Sequence, residues 1–234
     1  MFKNFSSYIL LVVYILNLHT QVLSDIENKR LDNISKKYGS KQLIVVSVDS
    51  NKDFLGELDS YENVNGRWKK VFSDLKVMVG ENGISPNKKE GDKKTPEGIY
   101  KLSQSFGTSV KPKDLKIKYI QTTKYDYWID DVNSKDYNKY EHFYGNPQTR
   151  WKSYEKLNLS CYKYAIVVDY NMTPIVKGNG SAIFIHKFTG AKKGSNGCIQ
   201  LSENDLLNIL KWIDTSKGPA LVVGTPQYIN ESFR

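Results

Sequence analysis

Cysteine is nearly absent. Two thiols in 234 residues, Cys161 and Cys198, exclude a scaffold built from disulfides. Histidine is as sparse, with three in the chain, and so is methionine. No apolar run approaches the roughly 20 residues that a membrane-spanning helix needs; the longest is the nine residues from Tyr8 to Leu16. Dense basic blocks, nucleic-acid motifs, internal repeats and low-complexity stretches are all missing. The formal charge of +9 is spread over scattered lysines. It reads as a solvated surface drawn to polyanions such as wall polymers or acidic lipids, with no nucleic acid as partner.

What remains is enough for a folded domain. Hydrophobic residues make up 39% of the chain and charged residues 25%, too apolar and too mixed in charge for disorder. Sixteen tyrosines against three methionines, with scattered Gly and Pro, favour strands and turns. Lys3 leads into the short apolar run, and Val22 and Ser24 occupy small-residue positions, so residues 1–24 read as a signal peptide whose cleavage leaves Asp25. The protein is then secreted or associated with the cell envelope. An uncleaved anchor is the competing reading, and would give the only membrane contact. Residues 25–41 form an N-terminal lead (a mobile segment or a short helix), 42–226 the main domain, and 227–234 a C-terminal tail.

Within that domain, Leu43 to Val48 is a continuous run of β-formers, expected as a buried strand, and Phe54 to Tyr61 as its hairpin partner. The turn dipeptide Asn65-Gly66 leads to a further strand from Trp68 to Val79. Thr95-Pro96-Glu97-Gly98 is a turn launching Ile99 to Leu102. Residues 117–160, rich in Tyr, Trp, Asn and Asp, have no clear period and suggest short strands in a surface insertion that builds a groove. Strands are expected again at 165–168, 175–176, 181–186 and 220–224. One helix is capped by Ser202, with Leu206, Leu207, Ile209, Leu210 and Ile213 on its buried side. The spacing predicts a mainly β fold, a sandwich or mixed sheet with one or a few helices.

His186 and Cys198 are the pair with chemical potential. His186 ends an apolar strand; eleven residues rich in Gly and Lys then lead through Ser195-Asn196-Gly197 to Cys198. A loop of this kind can double back and bring thiol and imidazole together. A neighbouring imidazole would raise the thiolate fraction of a group with an ordinary pKa near 8.5, and a helix start four residues on could favour an anion. Gly197, lacking Cβ, lets backbone N–H groups approach a reacting carbonyl. Other readings of the same residues are a Cys161–Cys198 disulfide, a zinc set of His142, Cys161, His186 and Cys198, and a core histidine with a packed cysteine. No close ligand spacing supports the zinc set, so no metal and no cofactor are expected.

Ser195-Asn196-Gly197-Cys198-Ile199, preceded by His186, resembles the active-site signature of the YkuD-type L,D-transpeptidases. Thr95-Pro96-Glu97-Gly98-Ile99-Tyr100 is similar to that family's TPxG turn. Gly178 to His186 is similar to the strand leading into its histidine. The resemblance runs in order over about residues 66–224. It implies a mixed β-sandwich in which Cys198 and His186 face a groove, and peptide-bond exchange in peptidoglycan stem peptides. Cys198 would attack the carbonyl of the diamino acid at the third stem position, and His186 would take the thiol proton. N–H groups of Gly197 and Cys198 would hold the oxyanion, with Ser195 shaping the turn. Water as acceptor would give carboxypeptidase activity instead. A wall-binding protein without catalysis is the alternative. This chain has Asn196 where the family's commonest form has a second His, and Gln200 where it has an Arg read as a structural or a substrate-carboxylate contact. That likens it to the family branch with a small residue before Gly-Cys. Oligomeric state is not readable.

Overall fold

The computed structural model describes residues 25–190 and 193–233. The signal-peptide reading of residues 1–24 lies outside them. Among the described residues no helix is long and apolar enough to cross a membrane. The elements in chain order are α1 (Asp25–Tyr38), β1 (Gln42–Ser47), β2 (Leu55–Val64), β3 (Arg67–Met78), β4 (Ile84–Ser85), β5 (Thr95–Pro96), β6 (Gly98–Lys101) and β7 (Gln104–Gly107). There follow β8 (Lys118–Gln121), β9 (Asp126–Trp128), β10 (Tyr140–His142), β11 (Glu155–Lys156), β12 (Ala165–Val167), β13 (Phe184–Lys187) and β14 (Ile199–Leu201). Helix α2 (Glu203–Trp212), β15 (Ala220–Gly224) and α3 (Pro226–Ser232) complete the fold.

Ten strands make one mixed sheet in the order β6-β15-β1-β2-β3-β14-β13-β12-β7-β8. The layers arise because this sheet curls. Asp169 N–H, just past β12, donates to Lys101 O at the end of β6, although the two strands stand far apart in the hydrogen-bonding order. One core therefore gathers Ile44, Val77, Ile166, Ile185, Ile199 and Leu221 from along the whole sheet.

The continuous apolar run in β1 is explained by burial on both faces. Ile44 and Val46 point into the main core, and Leu43 and Val45 into a second core under α1 and α3, as a period of two requires. β15, parallel to β1 with Leu43 opposite Ala220, divides in the same way. The lead is a helix. Leu31 and Ile34 of α1 are buried in the second core, and Trp68 fastens it by donating from Nε1 to Asp32 Oδ1 (2.8 Å) and from its backbone N to Asn28 Oδ1 (2.9 Å). The segment read as a tail contributes most of α3, whose flanking Phe233 is buried in the same core.

Two expected strands are shorter or missing. Pairing of β13 begins only at Phe184, because Ala182 sits at φ +52°, outside the strand region. Ile175-Val176 is loop, held by Asn171, which accepts from Val176 N (2.7 Å) and donates to Gly180 O (2.8 Å). The aromatic insertion builds β8, an edge of the large sheet, and a small sheet ordered β10-β9-β11. Trp128 Nε1 donates to buried Asn138 Oδ1 (2.8 Å), and Asn138 Nδ2 donates to the carbonyls of Tyr170 and Asn171. This seats the insertion beside β13.

Candidate active site

β13 and β14 run parallel, with Ile185 opposite Ile199 and His186 opposite Gln200. Alternation puts His186, Gln200 and Cys198 on one face, Cys198 two residues before Gln200. All three line a cleft of about 550 Å³ together with Glu90, Asp130 and Glu155. The eleven-residue loop does double back, and thiol and imidazole share one cleft.

The turn before Cys198 is held from several sides. Ser195 N–H donates to Val79 O (2.8 Å) and Ser195 O accepts from Glu81 N (2.8 Å). The Ser195 hydroxyl accepts from Gly197 N (2.9 Å) and donates to Cys198 O. Thr95 accepts from Gly80 N (2.8 Å) and donates from Oγ1 to Gly197 O (2.8 Å). The TPxG turn thus supports the thiol loop directly, a role the sequence did not disclose. Gly197 is required by conformation and space: φ is +137°, and a Cβ there would lie 2.9 Å from Lys94 O and 3.3 Å from Lys88 Nζ. Lys88 is a buried ammonium under the turn, paired with Asp92 (2.8 Å), and was not foreseen. Asn196 is exposed at the rim.

Thr95→Val keeps the shape at this point but strips partners from two backbone groups. We expect a loss of about 2–4 kcal/mol in urea unfolding, with a larger relative fall in activity than in stability. Unchanged unfolding would remove Thr95 from the support of the turn.

The protonation states differ from expectation. Burial pushes the Cys198 thiol up to about 12 and holds His186 down, at about 4. The resting pair is a neutral thiol and a neutral ring, not a stabilised sulfur anion. No hydrogen bond joins them. Cys198 Sγ donates to Ala182 O (3.3 Å) and accepts from Phe184 N (3.3 Å). The Nδ1 of His186 lies 2.9 Å from Lys187 O; because a carbonyl only accepts, Nδ1 carries the proton and Nε2 is the free base. Tyr162 packs edge-on against this ring, with centroids 5.2 Å apart at 83°. Helix α2 begins only at Glu203, with β14 standing between it and Cys198.

A consequence is testable by alkylation. The rate of iodoacetamide labelling at Cys198 should climb with pH beyond 9, without the plateau at mildly acidic pH that a thiolate–imidazolium pair gives. A plateau below pH 7 would show the pair to be ionised.

Two alternative readings are removed. Cys161 and Cys198 are both free. The zinc set does not assemble: His142 belongs to the small sheet, with Nδ1 2.6 Å from Asp126, and no cluster of three or more potential metal ligands occurs among the described residues. Cys161 does line the cleft, with Tyr162. The backbone donors also change. Gly197 N–H is committed to the Ser195 hydroxyl and is not open to a reacting carbonyl.

Residues 42–229 match the family model of the L,D-transpeptidase catalytic domain, YkuD. Among solved structures, the chain is similar to the helical cell shape determining protein Pgp2 from Campylobacter jejuni: 20% identity over 86% of this chain and 56% of that one, TM-score 0.41. It is also similar to L,D-transpeptidase 1 from Mycobacterium tuberculosis: 13% identity over 79% and 62%, TM-score 0.35. The chain therefore spans less than two thirds of the length of either. A search of curated proteins finds no match.

Proposed function

The chain belongs to the YkuD family of L,D-transpeptidase catalytic domains, and from that premise we propose that it is a cysteine acyltransferase of peptidoglycan stem peptides. The observation that carries the reading is the placement of Cys198 and His186 on one sheet face in one cleft, with the free Nε2 on the ring.

The steps follow from this chemistry. The thiol leaves Ala182 O, turns toward the imidazole and gives its proton to Nε2. The ring, neutral at pH 7, has Nε2 open to take it. The sulfur attacks the carbonyl of the third stem residue, and the developing oxyanion is met by the Cys198 N–H. Collapse expels the terminal D-amino acid, whose amine takes the proton back from His186, and leaves a thioester on Cys198. An acceptor amine, deprotonated by the same ring, attacks the thioester. The tetrahedral adduct collapses to a new amide and free thiol. Ser195, Thr95 and Gly197 keep the turn in shape throughout. Envelope localisation belongs to the same reading, since the substrate is wall material.

Product analysis on isolated muropeptides tests it. Cross-linked dimers joined between third residues are the expected outcome. Monomers shortened by one D-amino acid, without dimers, would assign hydrolysis. Unchanged muropeptides, with binding retained, would leave a wall-binding protein.

A further inference from the structure

Lys88 takes no part in the acyl-transfer steps above, yet it is only 3% exposed and joins the two segments that carry them. The polar loop around it grips the chain leading to His186. Glu90 N–H donates to Gly178 O (2.8 Å), and Lys89 Nζ donates to Asn179 Oδ1 (3.3 Å). The Lys88 side chain then passes between two glycines. A Cβ at Gly180, where φ is +100°, would lie 2.7 Å from Lys88 Cε, and one at Gly197 would lie 3.3 Å from Nζ. The ammonium thus reaches the residue next to Cys198 from beneath. Lys88 is not among the groups that line the cleft.

The charge is held in place. Lys88 Nζ donates to Asp92 Oδ1 (2.8 Å) and to Lys89 O (3.3 Å). Asp92 also accepts from the N–H groups of Lys89 (2.7 Å) and Lys94 (2.9 Å). Burial works against the Asp92 carboxylate, but Lys88 and these N–H groups outweigh it and hold the carboxyl below its ordinary range. An unbranched apolar side chain would fill the same space, and a buried ion pair is often no more stable than such a replacement. The charge itself therefore points to a use.

That use lies at the sulfur. The ring of His186 is neutral and brings no positive charge to the thiol. Burial foremost opposes ionisation of Cys198; the Phe184 N–H and Lys88 favour it, and Glu155 and Cys161 oppose it. Tyr162, which also faces the thiol, is kept neutral by its own burial.

We propose that Lys88 is a positioning residue of the acyl transfer: its buried ammonium props the turn of Cys198 and stabilises the sulfur anion formed when the thiol proton leaves. The part in acyl transfer rests on the function proposed above; the effect on the sulfur rests on the packing of Lys88 beneath the turn.

Lys88→Met keeps an unbranched chain between the glycines and removes the charge. The readout is iodoacetamide labelling of Cys198 on the full chain at pH 8, taken relative to Cys161. That second thiol lines the same cleft, and its neighbouring charges are Glu155 and Lys187. A thiol far below its pKa reacts in proportion to its thiolate fraction, so the ratio should fall about three- to tenfold. On muropeptides kcat should fall by about as much, with KM changed by less than about twofold. A purely structural lysine gives the opposite sign, since a loosened turn exposes Cys198 and raises the ratio. Should Lys88→Met fail to fold by circular dichroism, Lys88→Gln, which keeps a donor but no charge, serves in its place. Failure of both to fold would make the lysine a requirement of the fold and overturn the proposal. So would an unchanged or raised ratio in a folded variant. A lowered ratio with unchanged kcat would remove Lys88 from the reaction. A lowered ratio, with no muropeptide turned over by the unaltered chain, would support the effect on the sulfur and remove the acyl-transfer reading. Turnover by the unaltered chain without a lowered ratio in the variant would do the reverse.

Discussion

Cys198→Ser is expected to lower turnover on stem peptides by on the order of 10⁴-fold or more while leaving the fold intact. The thiol is already held in its neutral form, pushed up to about 12 by burial. A hydroxyl in the same position is a far weaker acid and a poorer nucleophile, and one neutral imidazole offers no compensating charge. The structural cost is small: Sγ makes two 3.3 Å contacts, to Ala182 O and Phe184 N, which a hydroxyl can replace in kind. Turnover by product analysis and unfolding by urea separate the two effects. A serine variant that keeps the rate of the unaltered protein would exclude Cys198 as nucleophile.

His186→Gln should reduce the rate by about 10²–10⁴-fold, the usual yield of a positioned general base, with little change in KM. It should also remove a pH dependence of stability. The ring of His186 is held down at about 4 in the fold, against an ordinary 6.5. Below pH 6.5 the unfolded chain takes up a proton that the folded chain refuses until about pH 4. Stability from this group is therefore complete above 6.5 and is lost as pH falls toward 4, by about 3 kcal/mol. Urea unfolding at pH 7 and pH 4.5 should show that component in the unaltered protein and lack it in the glutamine variant. The amide can still donate to Lys187 O, which makes this substitution milder than alanine. A pH-independent difference between the two proteins would mean that the ring is not buried neutral.

Local pattern disclosed much of the framework. The apolar run Leu43 to Val48 and the closing run Ala220 to Gly224 became neighbouring strands inside the sheet's edge. Asn65-Gly66, at φ +53° and +82°, closes the β2–β3 hairpin. Ser202 caps α2 by accepting from Asp205 N (3.1 Å). Failures fell where tertiary contacts override a local signal. Ser181 to Ile183 reads as strand, yet Ala182 adopts a left-handed conformation and its N–H donates to Asn138 Oδ1 (3.2 Å), from the insertion. Residues 117–160 showed no period because their short strands alternate with polar turns, and the insertion is held by single buried groups such as Asn138 and Asp126.

The thiol, the ring and the glycine before the thiol could be named from the sequence, because a motif is a statement about neighbours along the chain. Their ionisation could not, since it depends on what surrounds them in space. Burial foremost reversed the expected thiolate. Nothing in the local pattern hints that Glu90, Asp130 and Glu155, spread over 65 positions, share the cleft of Cys198, nor that Thr95 and Lys88 stand beneath its turn. A chain fixes which groups it carries and which local shapes they favour. Which charges share a low-dielectric cleft is decided only when the curled sheet brings distant strands together.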